Sequence, residues 1–239
     1  MHPRFFPIIA FLLLSFSAQS FGQTSPAQTP PTTEPFPVPS TFTATLPCAD
    51  CPAIHESLTL LPNRNYLDVY EYQDRNTSSY ALGRWYPIAD NTRIILFSGN
   101  PPNNYEILDR NHIRKLAPAG SNIPDQYLPT LSRSKTVAIP SGSFTIRGEY
   151  VYDPAKGTSR ITVCPYRAML PVSSGGDFAS LLNAYGSAHI KNGSPLLISF
   201  SGKLAIKPSN QEPFLVVDHF ESAWPGKTCI SSPDSTEQH

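Results

Sequence analysis

SLTLLPNRNYLDVYEYQDRNTSSYALGRWY, Ser57 to Tyr86, is the stretch that decides the fold. Ser57 to Leu61, Tyr66 to Tyr72 and Tyr80 to Tyr86 are short runs rich in aromatic and β-branched residues, and Pro62-Asn63-Arg64-Asn65 between the first two is turn chemistry. No helical period connects them. The same rhythm extends outward, through Phe42 to Leu46 on one side and Arg93 to Phe97, Asn104 to Leu108 and His112 to Leu116 on the other. Gly99-Asn100-Pro101-Pro102 and Asp109-Arg110-Asn111 supply further turns. Strands so closely and regularly spaced predict an antiparallel meander, closed or half closed into a barrel.

The rhythm breaks at SRSKTVAIPSG, residues 132–142, which separates a first domain (40–134) from a second (142–230). In the second, Phe144, Ile146, Gly148, Tyr150 and Tyr152 alternate with polar residues, Arg160 to Cys164 reads as a strand, and Ala168 to Val172 as a short third one. Phe178, Leu181, Leu182, Tyr185 and either Ala188 or His189 then recur at helical spacing, with Asp177 placed to cap the helix start. Leu196 to Lys207, with a bend at Gly202, and Phe214 to Phe220 complete the series. Three strands, a helix and two strands is the order of a small five-stranded OB-like barrel. The expected class is mainly β, an antiparallel barrel or half-barrel followed by an OB-like barrel with one helix.

Residues 1–22 have the form of an export signal: Arg4, an apolar run from Phe5 to Phe16, then small residues at Ala18, Ser20 and Gly22. Residues 23–39 are a proline-rich tether, and 231–239 a polar tail. No cysteine stands at the cleavage site to carry a lipid, and no later segment approaches the roughly 20 apolar residues of a bilayer span. The expectation is a monomer in the periplasm with no membrane span. Lys plus Arg equal Asp plus Glu at 18 each, so the chain has no basic field for nucleic acid.

Cysteines are few and therefore informative. Cys48 and Cys51 stand in LPCADCP, with His55 four residues further on. In an oxidising compartment such a pair closes a small disulfide; reduced, two thiolates and an imidazole form a candidate site for Cu(I) or Zn(II). A thiol–disulfide redox protein is a third reading, but it needs a helix N-terminus to activate the thiolate, and Ile54 to Leu61 reads as strand. His112, His189, His219 and His239 are scattered without ligand spacing, and Met169 is the one methionine past the signal. GxSxG, HExxH and phosphate-loop motifs are absent, which points away from an enzyme. His55-Glu56 reads as a surface pair at the start of a strand.

Leu46-Pro47-Cys48-Ala49-Asp50-Cys51-Pro52, followed by Ile54, Ser57-Leu58-Thr59-Leu60 and Gly83-Arg84-Trp85, resembles the N-terminal domain of the NlpE family of Gram-negative envelope lipoproteins. Arg147-Gly148-Glu149-Tyr150, Cys164, Pro171-Val172, Tyr185, Phe220 and Trp224-Pro225-Gly226-Lys227-Thr228-Cys229 are similar to the C-terminal domain of related chains. The resemblance implies a lipocalin-like first domain, an OB-fold second domain, and a role in copper tolerance and in signalling envelope stress to a sensor histidine kinase. Together with cysteine parity it also implies a Cys164–Cys229 bridge. The family's lipid-bearing cysteine has no counterpart here. A different class of function, a carrier for a small apolar molecule, is open to a lipocalin-like barrel with inward aromatics.

Overall fold

The computed structural model describes residues 34–97, 102–118, 120–124 and 127–230. The export segment, most of the proline-rich tether, the turn at 98–101 and the C-terminal tail lie outside the described residues. Eight strands come first: β1 (Ser40–Leu46), β2 (Ile54–Leu60), β3 (Asn65–Tyr72), β4 (Thr77–Ile88), β5 (Arg93–Phe97), β6 (Asn103–Ile107), β7 (His112–Lys115) and β8 (Thr130–Arg133). Each is antiparallel to the next, and β8 returns to β1 through Phe42 and Arg133, so the meander is a closed up-and-down barrel. Phe42, Leu58, Leu60, Tyr66, Trp85 and Tyr105 fill its interior. An eight-stranded barrel is just wide enough for side chains to do this.

The second barrel is built from β9 (Phe144–Asp153), β10 (Thr158–Val163), β11 (Met169–Gly176), α1 (Phe178–Ser187), β12 (Leu196–Ile206) and β13 (Pro213–Trp224). Its strand order is β10-β11-β13-β12-β9, closed, with β11 parallel to β13 and α1 in the crossover. That is the OB-like arrangement. The bend at Gly202 is a shift of register against β13, where a Cβ would stand 2.4 Å from the Val216 carbonyl. Gly83 serves a similar purpose, since a Cβ there would fall 2.5 Å from the Tyr66 ring. The helix stripe buries Leu181 and Tyr185. Asp177, however, makes no side-chain cap: one oxygen accepts from Ser180 Oγ at 2.5 Å and the other from the Phe220 backbone N–H at 2.9 Å, which ties the helix start to β13.

Strand β3 explains how the two barrels meet. Because side chains alternate across a strand, Tyr66, Asp68 and Tyr70 point into the first barrel while Asn65, Leu67 and Val69 point out of it. Both sets are buried down to Val69, since Leu61, Leu67, Val69 and Leu82 belong to one apolar cluster with Val163, Ala168 and Leu170 of the second barrel. The Asn65 amide completes the seam with two bonds, donating to the Met169 carbonyl and accepting from the Met169 N–H, both at 3.1 Å. The connecting segment is also held, with Ala138 accepting from Thr59 Oγ1 at 2.9 Å and donating to Thr41 Oγ1 at 2.8 Å.

Candidate functional site

The loop between β1 and β2 carries Cys48 and Cys51, which are joined in a disulfide with their Cα atoms 5.2 Å apart. Register pairing of Leu46 with Ile54 sets the loop on the rim of the barrel, so neither sulfur has access to the core. The neighbouring hairpin holds it there. Arg75, in the turn between β3 and β4, forms an ion pair with the Asp50 carboxylate and donates to the Asp50 carbonyl at 2.9 Å, and the Gln73 N–H reaches the Ala53 carbonyl at 3.0 Å. The Arg75 hydrogen bond and charge hold the Asp50 carboxyl below the usual carboxylate range.

The structure gathers Cys48, Asp50 and Cys51, whose ligand atoms all lie within 4.8 Å of one another. His55 is not part of that cluster: it is exposed on β2, opposite Thr45, with Nδ1 3.3 Å from Thr45 Oγ1. The motif spacing drew attention to the imidazole and overlooked Asp50, although this residue stands between the two cysteines. In the oxidised loop the sulfurs carry no charge and are poor ligands; in the reduced loop two thiolates would face outward from the rim beside a carboxylate. Substituting Arg75→Gln should return Asp50 to the ordinary carboxylate range. An upward shift of its carboxyl titration midpoint by NMR checks this, and an unmoved midpoint would mean that the ion pair is not populated in solution.

Sequence reading missed a second constellation entirely. Glu56, expected at the surface, is fully buried inside the barrel together with Asp68. The Tyr70 hydroxyl lies 2.9 Å from Asp68 Oδ2 and 3.2 Å from Glu56 Oε1, and Tyr105 donates to the same Glu56 oxygen at 3.2 Å. Among the described residues, Glu56 Oε2 and Asp68 Oδ1 find no hydrogen-bond partner. Burial, then the Glu56 charge, push Asp68 up to about 7, and burial likewise pushes up both tyrosine hydroxyls, which stay neutral. The signal was present in the alternation: Glu56 is in phase with Leu58 and Leu60, and Asp68 with Tyr66 and Tyr70.

The remaining cysteines, Cys164 and Cys229, form a second disulfide across 65 residues. It fastens the end of β10 to the chain beyond β13, where the Cys229 N–H donates to Glu149 Oε1 at 3.1 Å. No helix among the described residues is long and apolar enough to cross a membrane.

Residues 42–126 match the model of the NlpE N-terminal domain, a span that contains the Cys48–Cys51 loop. The chain is 28% identical to Lipoprotein NlpE of Escherichia coli (strain K12), over 87% of its own length and 86% of that protein's. Among solved structures it is similar to the crystal structure of the Cpx pathway activator NlpE from Escherichia coli, at 23% identity and a TM-score of 0.37, covering 81% of this chain and 100% of that one. In its first barrel and the cysteine loop that this barrel carries, the chain therefore resembles the NlpE family.

Proposed function

We propose that this chain is a non-enzymatic periplasmic protein serving copper tolerance and envelope-stress sensing, with the Cys48–Cys51 loop as its responsive element and a sensor histidine kinase as its signalling partner. The observation that carries the reading is the loop itself, two paired sulfurs on a barrel rim, steadied by Arg75 and flanked by Asp50. A rim position suits a group that must meet a metal ion or a partner. Copper(I) is a soft ion that prefers thiolates, so it binds after the disulfide is reduced and not before. The barrel interior, packed with Trp85, Tyr66, Tyr105 and Phe42, works against the carrier reading with a ligand inside it.

A Cu(I) competition titration of the reduced full chain tests this. Cys48→Ser and Cys51→Ser should each abolish tight binding, His55→Ala should weaken it less than either, and Cys164→Ser should leave it unchanged. A parent protein that binds no more tightly than the Cys48→Ser/Cys51→Ser variant would make the loop purely structural. A deletion strain with unaltered copper sensitivity would remove the physiological half of the reading.

A further inference from the structure

A recess of about 1210 Å³ lies between the two barrels, and it continues outward the seam that joins them. Leu82, Ile146 and Val163 belong both to the apolar cluster of that seam and to the lining of the recess, where Tyr80 and Phe144 stack with ring centroids 4.7 Å apart. Packing closes this interface at depth and leaves it open further out. The open part is the outer face of β4 and β5. A sheet face turned toward water ordinarily carries polar side chains, but Tyr86 and Ile88, alternating with the inward Trp85, and Ile95 and Phe97, alternating with the inward Leu96, are apolar. Tyr86, Ile88 and Phe97 remain 37%, 39% and 47% exposed. Tyr86 and Phe97 meet edge to face with ring centroids 5.4 Å apart, and Trp224 lines the recess from the second barrel.

The polar groups along these walls are already engaged. Arg84 donates from Nε to the Tyr86 hydroxyl at 2.8 Å, Arg167 pairs with Glu149 at 3.6 Å, the Arg147 guanidinium lies 4.8 Å from the Trp224 ring centroid, and Ser199 Oγ donates to Glu221. A charged ligand would have to break one of these pairings, so the recess does not reward charge. What it offers is apolar surface, much of it aromatic. An extended peptide fares no better than an ion, because both barrels are closed and neither presents a free strand edge to receive its backbone groups. A rigid ring system has no such groups to satisfy, gives up little conformational freedom on binding, and can stack on or abut Tyr86, Phe97 and Trp224. The volume exceeds the roughly 300–1,000 Å³ of most small-molecule pockets, which leaves room for it.

We propose that this recess binds an uncharged, flat aromatic molecule, which rests against Tyr86, Ile88 and Phe97 with Trp224 on the side of the second barrel. The site is separate from the Cys48–Cys51 loop and from the packed interior of the first barrel, so the proposal stands or falls independently of copper binding.

N-phenylnaphthylamine, an uncharged dye that brightens in apolar surroundings, is titrated into the oxidised full chain beside anilinonaphthalene sulfonate, which has the same rings and adds an anionic group. The uncharged dye should bind saturably at one site, at least about tenfold more tightly than its sulfonated analogue. Dodecanol, uncharged but without rings, should displace it only weakly. Phe97→Ser and Ile88→Thr should each weaken the dye about tenfold while keeping the parent's unfolding midpoint, which separates loss of a contact from loss of the fold. Absence of saturable binding, or unchanged affinity in both folded variants, would overturn the proposal. So would a sulfonated analogue that binds as tightly, which would make the recess an anion site, or dodecanol that competes on equal terms, which would make it an acyl-chain site. A parent that sediments as a dimer, with Phe97→Ser monomeric, would make a second copy of this chain the occupant instead.

Discussion

Between about pH 5 and about pH 7 the protein is expected to lose about 2 kcal/mol of stability, and Asp68→Asn to abolish the loss. In the folded barrel Asp68 keeps its proton up to about 7, against an ordinary value of 3.8, because burial and the neighbouring Glu56 penalise its charge. At pH values below 3.8 the folded and unfolded chains are both protonated at this position and its contribution is complete. As the pH rises, the unfolded chain gives up that proton first, so the folded state is progressively disfavoured until it too releases the proton near 7 and the curve flattens. Glu56, Tyr70, Tyr105 and Lys115 surround the group and remain in the variant. Asp50, Asp109, Asp153, Asp177, Asp218 and Glu221 are shifted the other way, and their contributions are lost only as pH falls below about 4, outside this window. Urea midpoints of the two proteins across the interval decide the matter. A level parent curve, or a variant that follows the parent, would show that the buried proton is not there.

The second large effect belongs to the Cys164–Cys229 bond. Cross-linking positions 65 residues apart restricts the unfolded chain, and the chain-entropy model puts its removal at about 4 kcal/mol. The Cys164→Ser/Cys229→Ser variant should therefore unfold at a markedly lower temperature. The Cys48→Ser/Cys51→Ser variant, which opens a separation of only 3, should move the midpoint far less, because a loop so short has little entropy to lose. Equal midpoints in the two serine variants would place the stability of the second barrel elsewhere.

Much of the fold was legible because its strands carry turn signals at both ends: Arg93–Phe97 has the bounds that its residues predict, and Tyr66 to Tyr72 is short by one. Strand β8 was not legible. Thr130–Arg133 is four residues long with Leu131 as its one buried side chain, too little for alternation to show, and its place in the barrel depends on pairing with β1 almost ninety positions earlier. The candidate site divides in the same way. Cys48 and Cys51 are visible from spacing alone, but Arg75 reaches their loop only once the β3–β4 hairpin has folded beside it. Glu56 and Asp68 come together across the β2–β3 ladder, where Glu56 faces Tyr70 and Asp68 faces Leu58. Registers of that kind are properties of strand pairs, and a pass along one strand sees only half of each.

The burial of Leu61, Leu67, Val69 and Leu82 under the second barrel bears on how such a chain can evolve. A module joined to its neighbour by a slack tether can be shuffled between genes with its surface intact. This first barrel is not portable in that sense: parted from the second, it would turn four aliphatic side chains and the Asn65 amide toward water at one place. A lineage that exchanged the OB-like partner for another would have to repaint that wall with polar residues or supply a new cover of matching shape. Substitutions on the outer face of β3 and around Met169 are therefore expected to be tolerated in pairs more readily than singly.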